Sequence, residues 1–219
     1  MDYFGMPRKH AHPVYTIRTT ATNAFGAPLF ERTFLLPVTP CNLCSTGSDK
    51  FTAIGDLCAQ HTRDVWGVEI RRSSLGPDAG LGVFATRDHR KDALLMPYWG
   101  EELTARQLQL RYGPLYACLP YGVHFTNAGV VLESGVQRSL GAMANDARDK
   151  KLYNACIVGC TRDASGTLRS SIRATKAIKA GQEIFVPYGC EYWTKYERLR
   201  SVGEYETLYK NVLDIPAPN

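Results

Sequence analysis

Three segments decide the fold: Leu140-Gly141-Ala142-Met143-Ala144-Asn145-Asp146-Ala147, then Asn154-Ala155-Cys156-Ile157-Val158, then Gly181-Gln182-Glu183-Ile184-Phe185-Val186-Pro187-Tyr188-Gly189 with Tyr192-Trp193 behind it. Each is weak alone. Asn145-Asp146 reads as an Asx-turn, and 183–188 reads as a half-buried strand ending in a core tyrosine. Asp163-Ala164-Ser165-Gly166-Thr167 predicts a hairpin turn between strands over 154–162 and 168–174. Upstream lie Gly80-Leu81-Gly82-Val83-Phe84-Ala85 and Met96-Pro97-Tyr98-Trp99-Gly100-Glu101.

Working outward, the chain is a series of short alternating segments. Trp66–Arg71, Gly82–Thr86 and the apolar run Ala93–Met96 predict strands, with a turn over Gly76-Pro77-Asp78-Ala79-Gly80. Tyr116–Leu119 and Val130–Glu133 are further strand candidates. Glu101–Tyr112 predicts a helix, with Thr104 as an alternative cap and Gly113-Pro114 ending it. After Trp193, the spacing of Tyr196, Leu199, Val202, Tyr205 and Leu208 predicts a helix stopped by Pro216-Ala217-Pro218. Many short strands without a βαβ rhythm exclude a Rossmann-type sheet. Val14–Arg18 and Arg32–Leu36 predict edge strands or an ordered arm.

The 219 residues suit one domain with an appendage, and 44% hydrophobic content supports a real core. No run of 18 apolar residues and no secretory signal are present, which predicts an intracellular protein and no membrane partner. The net charge of +5 is spread along the chain rather than gathered in a stripe. Direct nucleic-acid binding is therefore not expected.

Seven cysteines in a reducing compartment argue against a disulfide framework. Cys41-Asn42-Leu43-Cys44 and Cys58-Ala59-Gln60-His61 form a C-x2-C…C-x2-H arrangement. Two ligand pairs of this spacing can hold one tetrahedral Zn²⁺. The span is too short for a core of its own, so a structural metal would supply folding free energy. A pair of buried thiols beside a surface histidine is the alternative.

Taken together and in this order, the Gly80, Tyr98, Asn145, Asn154 and Tyr188 segments resemble a SET-domain lysine methyltransferase. The resemblance implies a mainly β fold with short helices, built of small sheets around a pseudoknot crossing. It implies S-adenosylmethionine contacts at Gly80, Leu81, Gly82, Ala144, Asn145 and Asp146, with Trp193 as an adenine or channel wall. Tyr188 falls on the catalytic tyrosine, and Tyr98, Ile157 and Val186 join it in lining the substrate-lysine channel. Asn154 matches the residue that fastens the crossing. Two departures stand out: Asp146-Ala147 replaces the usual His-Ser, and the cysteine-rich tail after the catalytic motif is missing.

The expected division is an arm over 1–40, a zinc element over 41–63, a SET domain over 64–193 and a C-terminal helix and tail over 194–219. A variable insert covers about 102–132. The expected function is transfer of a methyl group from S-adenosylmethionine to a lysine of a protein partner. A histone tail is the substrate class the family implies, and the nucleus the compartment. Ile157 and Val186 lack a ring hydroxyl, which predicts a roomy channel. The alternatives are an inactive SET-like module that binds a protein, and a zinc interaction module supported by the rest of the chain.

Overall fold

The computed structural model describes residues 14–18, 31–35, 39–44, 51–52, 54–112, 121–125, 129–201 and 206–210. The strand expected over Tyr116–Leu119 lies outside them. In chain order the elements are β1 Val14–Arg18, β2 Glu31–Leu35, β3 Thr39–Pro40, β4 Phe51–Thr52, α1 Ala59–Trp66, β5 Val68–Arg72 and β6 Leu81–Ala85. They continue with β7 Leu94–Tyr98, β8 Glu101–Leu103, α2 Ala105–Tyr112, β9 Gly122–Phe125 and β10 Val130–Glu133. Last come β11 Ala155–Arg162, β12 Leu168–Ala174, α3 Cys190–Ser201 and β13 Glu206–Lys210.

The strands form small antiparallel sheets: β13-β1-β2, β8-β10-β9, β11-β12-β7, β3-β4 and β5-β6. Alternation explains the pattern. Leu168, Ser170, Ile172 and Ala174 of β12 turn inward while the residues between them face outward. β6 is buried along nearly its whole length, as a strand covered on both faces should be. Val68, Val83, Leu95, Leu132, Ile172 and Ile184 meet in one core. Each such aliphatic side chain contributes roughly 1.5–3 kcal/mol on burial.

Two helix expectations change. Residues 101–103 are strand β8, paired with β10 through Leu103↔Val131. The helix starts at Ala105 behind a reciprocal cap, in which Gln107 N–H donates to Thr104 Oγ1 while Gln107 Oε1 accepts from Thr104 N–H. The last helix ends at Ser201, and Leu208 lies in β13, antiparallel to β1 with Leu208↔Thr16. Trp66, expected to open a strand, instead closes α1. Gly67 in the left-handed region (φ 66°) caps that helix.

Candidate active site

The segment 183–188 is held on three sides. Ile184 N–H donates to Val83 O on β6 (2.8 Å), and Val186 N–H donates to Asn145 O (2.9 Å). On the third side the Asn154 and Ala155 N–H groups donate to Phe185 O (3.3 and 3.1 Å). Asn145 pairs with Phe185 in a parallel bridge, and the buried Asn154 side chain spans 183 to 185. Residues far apart in sequence thus converge on one strand whose end is Tyr188.

Tyr188 forms part of the wall of a cavity of about 490 Å³, together with Tyr98, Ala144, Ile157 and Val186. This is the size range of small-ligand pockets. The Tyr188 hydroxyl donates to Ala144 O (3.0 Å), and the Tyr98 hydroxyl donates to Tyr121 O (2.9 Å). Burial first, then the neighbouring Tyr192, holds the Tyr188 phenol well above its usual range. Burial, followed by the Glu133 charge, raises Tyr98 likewise. Both phenols therefore stay protonated at neutral pH.

Sequence reasoning did not name the rest of the wall. Val123 and His124 enter from β9, inside the variable insert, and Cys190, Glu191, Tyr192 and Lys195 enter from α3. Helical spacing after Trp193 signalled α3, but nothing local indicated which face turns to the cavity.

Asn145, Asp146 and Trp193 stand behind the cavity wall rather than on it. Asn145 Nδ2 donates to Leu81 O (2.9 Å) and to Glu183 Oε1 (3.2 Å), which ties the crossing to the Gly80–Gly82 strip. Asp146 is buried, and its carboxylate accepts four protein donors. Oδ1 takes Arg148 N–H (2.7 Å) and Tyr153 O–H (2.5 Å), while Oδ2 takes Tyr188 N–H (2.7 Å) and Trp193 Nε1–H (2.8 Å). The side chain is committed to the protein, so only its backbone is left to meet a ligand. Trp193 lies face to face with Tyr188, centroids 6.1 Å apart and planes 8° from parallel.

Gly80 sits at φ 64°, ψ −123°, a conformation that only glycine adopts readily. Gly82 faces the buried Glu183: a Cβ there would lie 2.1 Å from Glu183 Oε1. Glu183 cannot easily yield, because Ser73 Oγ (2.8 Å), Ser74 N (2.7 Å) and Ser74 Oγ (2.5 Å) all donate to it. Gly80, Leu81 and Gly82 do not line the cavity: Leu81 packs against the core and Gly82 is buried against Glu183.

A second cluster stands apart. The ligand atoms of Cys41, Cys44, Cys58 and His61 lie within 4.8 Å of one another. His61 Nδ1 is 3.2 Å from Cys41 Sγ and 3.5 Å from both Cys44 Sγ and Cys58 Sγ, with those two sulfurs 3.9 Å apart. A zinc ion with tetrahedral S₃N ligation has edges of roughly 3.5–3.8 Å, so the donor set fits. Burial pushes the Cys41 thiol up, but hydrogen bonds from the Cys58 backbone, His61 and others outweigh it and bring it to about 6. α1, which carries His61, is capped at its far end by Arg87, whose guanidinium donates to Asp64 O (3.3 Å) and Val65 O (3.0 Å).

The SET-domain family model matches residues 80–189, half of the chain. The protein belongs to the SET-domain family and has its fold. Members of that family are generally S-adenosylmethionine-dependent lysine methyltransferases. No curated protein matches the chain. Among solved structures it is similar to a chain of an active polycomb repressive complex 2 in the basal state (24% identity, TM-score 0.45), over 56% of this chain and 15% of that one. It is also similar to a humanised Chaetomium thermophilum polycomb repressive complex 2 (22%, TM-score 0.43; 56% and 15%). A third is a Plasmodium falciparum protein described as a candidate histone methyltransferase (19%, TM-score 0.41; 58% and 96%). The chain thus spans about 15% of the length of the polycomb chains it matches. Among the described residues, no helix is long and apolar enough to cross a membrane.

Proposed function

We propose that this protein is a protein-lysine N-methyltransferase with Tyr188 as its catalytic residue. The observation that carries the reading is the half-buried Tyr188, its hydroxyl bonded to Ala144 O, at the wall of a largely apolar cavity shared with Tyr98, Ile157 and Val186. S-adenosylmethionine supplies a sulfonium-activated methyl group when bound, and Gly80, Leu81, Gly82 and the backbone of Ala144, Asn145 and Asp146 would hold it. Trp193 supports that side through Tyr188 rather than by lining the cavity. The chain's own task is to deliver a neutral, aimed amine.

An unperturbed lysine is charged at neutral pH, with a pKa near about 10.4. Entry into the apolar cavity removes water from the ammonium and favours its neutral form. The Tyr188 proton is already donated to Ala144 O. The phenol oxygen therefore keeps lone pairs to accept an amine N–H and to aim the nitrogen lone pair. Tyr98, closed off in the same way on Tyr121 O, shapes the other wall. Positioning of this kind supplies much of the acceleration in an in-line transfer. Ile157 and Val186 leave room for more than one methyl group.

The substrate we propose is a lysine within an extended peptide, a histone tail being the family's commonest class. The nucleus is the matching compartment. We assign the catalytic domain to 64–193, flanked by the arm, a structural zinc element at Cys41, Cys44, Cys58 and His61, and the C-terminal helix. Calorimetric titration of S-adenosylmethionine and its demethylated product, followed by turnover on lysine peptides, tests the reading. Micromolar binding that weakens in Asn145→Ala, with methyl transfer, supports it. No binding at high protein concentration returns the chain to a protein-binding module.

A further inference from the structure

We propose that Asp146 is a positioning residue that seats α3 against Tyr188, and so completes the cavity. Its consequence for turnover rests on the methyltransferase reading, whereas the seating itself is a property of the fold. One oxygen, Oδ2, accepts both the backbone N–H of Tyr188 and the indole N–H of Trp193 (2.7 and 2.8 Å). A single atom thereby joins the end of the catalytic strand to the first turn of α3. That helix supplies Cys190, Glu191, Tyr192 and Lys195 to the cavity.

The other oxygen fixes a second clamp. Arg148 has φ 55°, a strained value for a side-chain-bearing residue, and its N–H is held by Asp146 Oδ1. In that conformation its guanidinium lies over the Trp193 ring, 4.4 Å from the centroid, and pairs with Glu197. Trp193 and Glu197 are four residues apart on one face of α3. Asp146 therefore grips the helix directly at Trp193 and indirectly through Arg148. Only a carboxylate offers two oxygens and enough lone pairs for four donors. A histidine has at most one acceptor, and an asparagine would turn an NH₂ group towards two N–H or O–H donors.

Hydrogen–deuterium exchange of the purified chain tests this without requiring turnover. In Asp146→Asn, peptides covering 190–201 should exchange about tenfold faster or more, the effect of losing charge-assisted hydrogen bonds. Peptides from β11 and β12 should keep their protection. Trp193→Phe removes only the indole donor, leaves the other three in place, and should loosen the same segment to a smaller degree. Unchanged protection of 190–201 in both variants overturns the proposal. So does uniform loosening of β11 and β12 in Asp146→Asn while Trp193→Phe behaves as wild type. In a methylation assay the substrate KM should rise more than kcat falls. If the wild type itself shows no turnover, the functional reading fails and the exchange result still decides the seating.

Discussion

Asn154 and Phe185 hold one another twice: Phe185 N–H donates to Asn154 Oδ1 at 2.8 Å, while Asn154 N–H donates back to Phe185 O at 3.3 Å. Asn154 Nδ2 adds a third bond, to Glu183 O at 2.8 Å. A side-chain amide here does the work of a strand partner, beside the contacts that β6 and Asn145 make with the same segment. Asn154→Ala leaves a buried N–H and a buried carbonyl unpaired, at a cost of about 2–4 kcal/mol. Urea unfolding should show that loss, and a change below about 1 kcal/mol would mean that water or a neighbour replaces the amide.

Tyr188→Phe keeps the ring on Trp193 and loses only the hydroxyl. Stability should fall by about 1 kcal/mol, the worth of the bond to Ala144 O. Methyl transfer should fall about 10²–10³-fold, the range for removing one aligned polar group at a reacting centre. Parallel melting and rate measurements separate the two, and retained turnover would move the catalytic role elsewhere.

One zinc ion per chain is expected from metal analysis of the purified protein. Removing it with a chelator, or substituting Cys44→Ser, should lower the melting temperature, because the hydrophobic cluster of Cys41, Leu57 and Cys58 around the site is small. A metal-free preparation that melts like the wild type would show that the thiols are structural on their own.

Gly82→Ala should be costly despite the small change. The new methyl would meet a carboxylate fixed by Ser73, Ser74 and Asn145, with no slack to move. A loss of about 1–3 kcal/mol is expected for forced overpacking, together with weaker S-adenosylmethionine binding by calorimetry. Normal binding by a stable Gly82→Ala protein would remove the strip from the proposed cofactor site.

Glu133 gives a pH signature. Burial raises its carboxyl above the ordinary glutamate value of 4.5, against the opposing Gly135 N–H and Arg111. The folded state then keeps a proton that the unfolded chain has released, so stability falls as pH rises through 4.5 towards the folded value and levels off above it. The stability of wild type relative to Glu133→Gln should decline over that interval in denaturant titrations at stepped pH. A difference that rises instead would reverse the sign of the shift.

The parts of the fold that sequence made legible are those with a local cause. The hairpin over 163–167 follows from its turn residues, and Asp163 accepts from the N–H groups of Ser165 and Thr167 there. Asn145, Asn154 and Tyr188 stood out only through an order that resembles the SET family's, since each alone reads as a turn or a core residue. What could not be read had a distant cause. Glu101–Leu103 looks helical until β10 is known to lie beside it. Glu206–Lys210 fits a helical spacing and an alternating one equally, and only β1 decides between them. Asp146 looked like a defect in a binding motif. Its meaning depended on Trp193, 47 positions later, and on Tyr188, 42 positions later, arriving at the same oxygen.

The pairing of β1 with β13 also orders events in time. Val14 meets Lys210, near opposite ends of the described chain, so the loop they close contains almost every other element. Such a contact carries a large closure entropy and is rewarded only after the intervening sheets have condensed. During synthesis β1 can pair with β2 early, but its other edge must wait open until β13 emerges. That makes the arm the part of the molecule most exposed to mispairing with a neighbouring nascent chain.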